Sequence, residues 1–286
     1  AEAQGTNQNK RVLFISAYSY GWDTVQTQIE GIKAGVDENT TIDYEFMDTK
    51  RFRTDEWLNM FHDMLKYHLE NTDPYDVVIV GDDAALQFAM EYREELFPEI
   101  PVVFEGVNDE EYAMKAAENP LVTGIIEKLS VEKNIDMALK VNPTADKVVA
   151  ILDDSVTADA ERKNFYSSAE NYPELEFSEI NASELETARL QQAISKVDDK
   201  TILIYIVMSK DGSGKQYTSD QAVRMIVNYA KVPVYRMVEA GIGDGLLGGN
   251  VVSMYKSGEI AAKMAMDIAN GTDSAEINVV KDSPNI

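Results

Sequence analysis

Residues 75–108 read YDVVIVGDDAALQFAMEYREELFPEIPVVFEGVN, and their periodicity decides the fold. Val77–Val80 is a short unbroken apolar run, as in a strand covered on both faces. Ala84–Phe97 changes to helical spacing, and Pro101–Phe104 returns to an apolar run. A helix between two buried strands is a crossover, which lets the strands run parallel.

The same rhythm extends in both directions. Upstream, Arg11–Ser16 (RVLFIS) predicts a buried strand, and a helix from Asp23 carries Val25, Ile29, Ile32 and Val36 on one face. Thr41–Met47 alternates as a half-buried strand. Asp55–Leu69 predicts a helix with Trp57, Phe61, Met64, Leu65 and His68 on one side. Downstream, strands are expected at Val122–Ile126, Lys147–Leu152, Leu175–Ile180, Thr201–Met208, Val232–Val238 and Leu246–Tyr255. Helices are expected at Val131–Val141, Thr157–Asn171, Glu184–Val197, Ser219–Ala230 and Glu259–Asn270. Ser183 with Glu186, and Thr218 with Gln221, have capping-box spacing, which would fix two helix starts. About eleven strands exceed one ordinary open sheet, so the reading is an α/β fold of two parallel-sheet lobes with helices on both faces. The glycine- and proline-bearing stretches near Gly106–Pro120 and Gly241–Gly249 are the expected crossings between lobes.

Composition narrows the function. The 286 residues carry 26 Lys and Arg against 50 Asp and Glu, a formal charge of −24, which disfavours nucleic acid and anionic membrane surfaces as partners. No apolar run approaches the roughly 18–20 residues that span a bilayer, so this segment inserts no helix of its own into a membrane. The absence of cysteine removes disulfides, thiolate catalysis and cysteine-ligated zinc. The chain begins at Ala1 rather than Met, as a processed export product or a cloned piece would, and its first ten residues read as a polar tail.

Several motifs dissolve on inspection. Gly243–Gly248 matches G-x-G-x-x-G, but the residues from Leu246 read as strand and no helix opens inside the motif, so it reads as a flexible crossing. Gly212-Ser-Gly-Lys215 lacks the first glycine and the Ser or Thr of a phosphate loop. His62 and His68 are six apart on one helix, which is not a metal-pair spacing; His68 is expected in the core and His62 on the surface. No cofactor or metal is called for, and no serine triad is visible.

What remains lies after strands, at the carboxyl edges of the expected sheets, where open α/β folds bind ligands. Ser16-Ala-Tyr18-Ser-Tyr20-Gly-Trp22-Asp23 places three aromatics on one loop, either packed over the loop base or stacked on a ligand. Asp82-Asp83 and Asp153-Asp154 end two similar strands. They can be helix N-caps, bind a ligand amine or hydroxyl, or hold a divalent cation.

RVLFISAYSYGWDTVQTQIEGIKAG, IDYEFMDTKRF, residues 75–109 and TGIIEKLSVEKNIDMALKVNP together resemble solute-binding proteins of the type 1 periplasmic-binding fold, over about Arg11 to Val280. The nearer resemblance is to the extracytoplasmic sensor domains of histidine kinases and diguanylate cyclases; the related branch serves ABC importers. The resemblance implies two doubly wound lobes joined by hinge strands, lobe 1 being residues 11–107 plus about 255–274 and lobe 2 about 108–254 plus 275–286. It implies a ligand in the interlobe cleft with hinge closure. By position, the ligand-binding residues would be Ser16, Tyr18, Ser19, Tyr20, Asp82, Asp83, Glu105 and Asn108 in the first lobe and hinge, and Asp154, Thr157, Ser209 and Glu239 in the second.

The expectation is therefore a non-catalytic, extracytoplasmic domain that binds a small polar, cationic or aromatic-bearing molecule. It would be tethered to a membrane signalling module in a longer chain. The alternative is the substrate-binding protein of an ABC importer, with a permease as partner. The remote alternative is a metal-dependent enzyme using the Asp pairs.

Overall fold

In the computed structural model the described residues are 9–285. Most of the expected polar tail lies outside them, and Lys10 already opens the first strand. Two compact units form. Unit 1 takes the chain through Ser19, then Thr27–Ile126 and Tyr255–Lys281. Unit 2 takes Tyr20–Gln26, Glu127–Met254 and the chain from Asp282.

Unit 1 is built on five parallel strands in the order β2-β1-β3-β4-β5, where β1 is Lys10–Ser16, β2 Thr40–Phe46, β3 Val77–Gly81, β4 Val102–Val107 and β5 Val122–Ile126. The unbroken apolar runs become central strands because both faces are covered: every residue of β3, β4 and β5 is buried. The alternating β2 is the half-buried edge. Helices α1 (Asp23–Gly35), α2 (Asp55–Glu70), α3 (Asp83–Glu91), α4 (Arg93–Leu96) and α5 (Glu110–Ala116) connect the strands. The register sets Ser16 beside Gly81 and Gly81 beside Glu105, so one row at the carboxyl edge carries two expected site residues. The first unit runs to Ile126 instead of ending near residue 107, because β5 pairs with β4 as the fifth strand of this sheet.

Unit 2 holds four parallel strands in the order β7-β6-β8-β9: β6 Lys147–Leu152, β7 Glu176–Asn181, β8 Thr201–Tyr205 and β9 Val234–Arg236. Their helices are α6 (Val131–Val141), α7 (Val156–Ser167), α8 (Thr187–Ser195) and α9 (Ser219–Tyr229); α10 (Met254–Ala269) starts at the unit boundary and belongs to unit 1 from Tyr255. Leu190, Ile194, Leu203, Tyr205 and Ile226 are among the side chains of one core between sheet and helices.

Four expectations are corrected. Leu246–Tyr255 is not a strand. It makes isolated bridges from Leu247 to Tyr235 and from Val252 to Val238, while the Asn134 amide on α6 donates to the Asn250 carbonyl at 2.9 Å, and α10 opens at Met254. The Ser183–Glu186 spacing is not a capping box: a 3₁₀ turn occupies Ala182–Glu184, α8 starts at Thr187, and the Ser183 hydroxyl instead accepts the Asp154 N–H at 3.0 Å. The Thr218–Gln221 box is present, with both reciprocal bonds. The Ala84–Phe97 helix is divided at Tyr92. The two histidines exchange roles. His68 is exposed and bonded to Glu45 at 2.6 Å, whereas His62 is largely covered, packed against the Tyr92 ring at a tilt of 47° and bonded to Asp63 and Glu95.

Candidate functional site

Each unit presents its own carboxyl edge. In unit 1 the edge begins where β1 ends at Ser16, a buried residue whose Oγ accepts the Tyr18 N–H at 3.1 Å. That turn directs the chain inward, and Tyr18 is buried while Ser19 is half-buried. Thr49 donates both its N–H and its hydroxyl to the Ala17 carbonyl, each at 2.8 Å. This pins the loop after β2 onto the loop after β1. Lys50 is thereby buried with its ammonium 4.5 Å from the centre of the Tyr18 ring.

The acidic part of the edge follows β3. Asp82 has φ 75° and ψ 163°, a backbone region that is essentially glycine's and costs a side-chain-bearing residue about 1–3 kcal/mol. It is the N-cap of α3, yet its side chain makes no capping bond. Its Oδ2 accepts from the Gln28 amide at 3.3 Å instead. Gly106 has φ +66°, and a Cβ there would lie 3.0 Å from Asp82 Oδ1 and 3.0 Å from Gln28 Nε2. Glycine therefore meets both a backbone and a space requirement at this corner. A Cβ on Gly81 would lie 2.9 Å from Glu105 Oε1, which places the fully buried Glu105 carboxylate against the end of β3.

Asp83 does different work. Its carboxylate accepts the Asn108 N–H at 3.1 Å and the Asp109 N–H at 3.0 Å, which ties the start of α3 to the loop before α5. Asn108 is thus held by its backbone. Burial is the main cause that raises both carboxyls, Asp82 to about 7 and Asp83 to about 6; repulsion from Asp83 adds to the Asp82 shift, and Gln28 and Lys50 oppose it. The structure thus brings Ser16, Tyr18, Asp82, Asp83 and Glu105 to one edge, with Gln28 and Lys50 as members that the sequence reading missed. Gln28 had a signal: it is a polar residue on the stripe of Val25, Ile29 and Ile32, and it is fully buried.

In unit 2 the edge is differently satisfied. Asp153 is fully buried, its Oδ1 accepting the Ser155 N–H at 2.9 Å and its Oδ2 accepting both the N–H and the hydroxyl of Ser209 at 2.9 Å. Ser155, not either Asp, caps α7. Asp154 is exposed, accepting from Asn181 at 2.8 Å and lying 3.5 Å from Arg162. Thr157 and Glu239 are half-buried, and Tyr20 is 57% exposed. Gly241, Gly243 and Gly245 all have positive φ, and the next helix waits until Met254, so no helix N-terminus meets the G-x-G-x-x-G stretch. Among the described residues no group of three or more His, Asp or Glu is placed to hold a metal ion, and no helix is long and apolar enough to cross a membrane.

Two parallel α/β units with polar, aromatic carboxyl edges define the class of type 1 periplasmic binding proteins. The chain belongs to the ABC transporter substrate binding protein family, whose profile matches residues 22–285. It is 24% identical over 186 residues to a tyrosine-binding protein of Clostridioides difficile (strain R20291), a match over 63% of this chain and 52% of that protein, so this chain spans about half the length of that curated relative. The fold resembles an ABC domain from Streptococcus pneumonia in complex with L-Trp, at 17% identity and TM-score 0.72 over 97% of this chain and 90% of that one. It also resembles a carbohydrate transporter from Acidothermus cellulolyticus 11B in complex with myo-inositol, at 14% identity and TM-score 0.62 over 98% and 94%. Proteins of this family bind small ligands outside the cytoplasmic membrane.

Proposed function

We propose that this chain is the substrate-binding component of an ABC importer and that its ligand is an aromatic α-amino acid. The observation that carries the ligand class is the unit 1 edge, where Tyr18, with the Lys50 ammonium over its ring, shares one sheet edge with the buried carboxyls of Asp82 and Glu105. A buried carboxylate such as Asp82, which accepts one long hydrogen bond from Gln28, is stabilised by an incoming ammonium, and an aromatic wall gives contact area to a ring. The binding contacts proposed here are Ser16, Tyr18, Asp82 and Glu105, positioned by Gln28, Lys50 and Asp83. The relatives described as tyrosine-binding and as holding L-Trp support the same ligand class.

The family match favours an importer component over a signalling sensor. A gene neighbourhood with a permease and an ATPase supports the importer. A transmembrane helix and kinase or cyclase domain in the full-length chain would restore the sensor reading. The ligand test is a thermal-shift and calorimetric screen of the proteinogenic amino acids, myo-inositol and simple sugars. Tyrosine, tryptophan or phenylalanine should raise the melting temperature as RT ln(1 + [L]/Kd). Stabilisation by myo-inositol or a sugar, with none by aromatic amino acids, would overturn the ligand class.

A further inference from the structure

Arg236 is the last residue of β9, at the carboxyl edge of the unit 2 sheet, and only 5% exposed. The register pairs it directly with Tyr205, the last residue of β8. Its guanidinium carbon lies 4.0 Å from the centre of the Tyr205 ring. Nη1 donates to the Tyr205 carbonyl at 3.3 Å and to the Ile206 carbonyl. These contacts occupy one face and one corner of the fork. Nε is buried without a hydrogen-bond partner, and among the described residues no carboxylate forms an ion pair with this side chain.

Two buried or capping acids near this edge are engaged elsewhere. Asp153 is held by Ser155 and Ser209, and Asp23 accepts from the Thr24 N–H and the Ser219 hydroxyl. A buried cation without an anion is costly, and carbonyl oxygens and a ring face compensate it only in part. The remaining Nε–Nη2 edge is the side of the guanidinium that meets a carboxylate with two parallel N–H···O bonds.

We propose that Arg236 takes the ligand's carboxylate through its Nε–Nη2 edge and so makes a carboxylate obligatory in the substrate. Tyr205 is the positioning residue, fixing the plane of the fork by stacking. The inference rests on the chain being a small-solute binder, but not on the solute being aromatic.

The test compares acids with their decarboxylated partners by calorimetry, using L-tyrosine with tyramine and L-tryptophan with tryptamine. The other amino acids and myo-inositol serve as further probes. The wild-type protein should prefer the acid at least 100-fold. Arg236→Gln should remove that preference, weakening the acid about 100-fold and the amine less than 3-fold; Arg236→Lys, which keeps the charge and loses the fork, should weaken the acid about 10-fold. Melting curves check folding, and if Arg236→Gln does not fold the Lys variant carries the comparison. Equal binding of acid and amine, binding of no carboxylate at all, or an Arg236 variant that keeps the wild-type preference would overturn the assignment. A strong preference for a non-aromatic acid, lost on Arg236→Gln, would retire the aromatic ligand class and leave Arg236 in place.

Discussion

Asp82-Asp83 and Asp153-Asp154 follow β3 and β6, each an interior strand of its own parallel sheet, yet the two pairs end in opposite electrostatic states. In unit 2 the first Asp is saturated by two N–H groups and a hydroxyl, and the second faces solvent. In unit 1 both are buried, and the first has a strained backbone and one long bond from Gln28. The first arrangement is what a fold needs to order a strand-to-helix turn. The second is poor for stability, and such a debt is tolerated where binding redeems it. The same dipeptide is thus structural in one unit and proposed to be functional in the other.

Breaking the saturated pair should have the largest effect on stability. Asp153→Ala removes the acceptor for three donors inside a fully buried turn. The expected loss is about 3–5 kcal/mol, read by urea denaturation followed with a unit 2 probe. A loss under about 1 kcal/mol would mean that water or neighbouring groups replace those bonds and that the contrast between the pairs is overstated.

The converse change separates function from stability. Asp82→Asn should weaken the preferred ligand about 100-fold, or about 2.7 kcal/mol, without lowering the melting temperature at pH 8, because it removes a buried charge. Calorimetry and melting curves on one preparation give both readings. Unchanged affinity would move the ligand's cationic group away from Asp82.

These outcomes bear on what the sequence encoded. The alternation of β3, α3 and β4 was legible because burial on two faces writes an unbroken apolar run, and every residue of both strands is buried. The Thr218 cap was legible because its bonds lie within four residues. Lys50 was not legible. Its place over Tyr18 depends on the two hydrogen bonds that Thr49 donates to the Ala17 carbonyl, residues 32 apart in the chain. The Ser183–Glu186 spacing was a decoy for a similar reason: the distant Asp154 N–H claims the Ser183 hydroxyl. The equal appearance of the two Asp pairs in sequence hid their difference, since partners such as Ser209 and Gln28 come from other elements.

A finer test of the contrast is its pH dependence. Asp82 and Asp83 are raised from 3.8 to about 7 and about 6, so the folded chain holds protons that the unfolded chain releases. Stability from this source is fully present below about pH 4 and is lost as pH rises towards 7, with at most about 1.4 kcal/mol lost per pH unit for one proton. The difference in unfolding free energy between wild type and Asp82→Asn, measured from pH 4.5 to 8, should therefore move steadily in the variant's favour. A flat difference would show that Asp82 is ionised throughout, already compensated by Lys50 and Gln28.

The smallest expected effect completes the comparison. Asp154 looks identical to Asp83 in sequence, each being the second Asp after a strand. Asp83 is 2% exposed and orders two backbone N–H groups, whereas Asp154 faces solvent and pairs with Arg162, which also bonds Asp159 and Glu179. Exposed pairs contribute little, and Arg162 keeps its other partners when one is removed. Asp154→Ala should therefore cost less than about 0.5 kcal/mol in urea denaturation. Asp83→Ala should cost several times that, through release of the loop before α5. If Asp154→Ala instead leaves stability intact and removes ligand affinity, the exposed Asp is a binding contact, and unit 2 contributes an acid of its own to ligand selection.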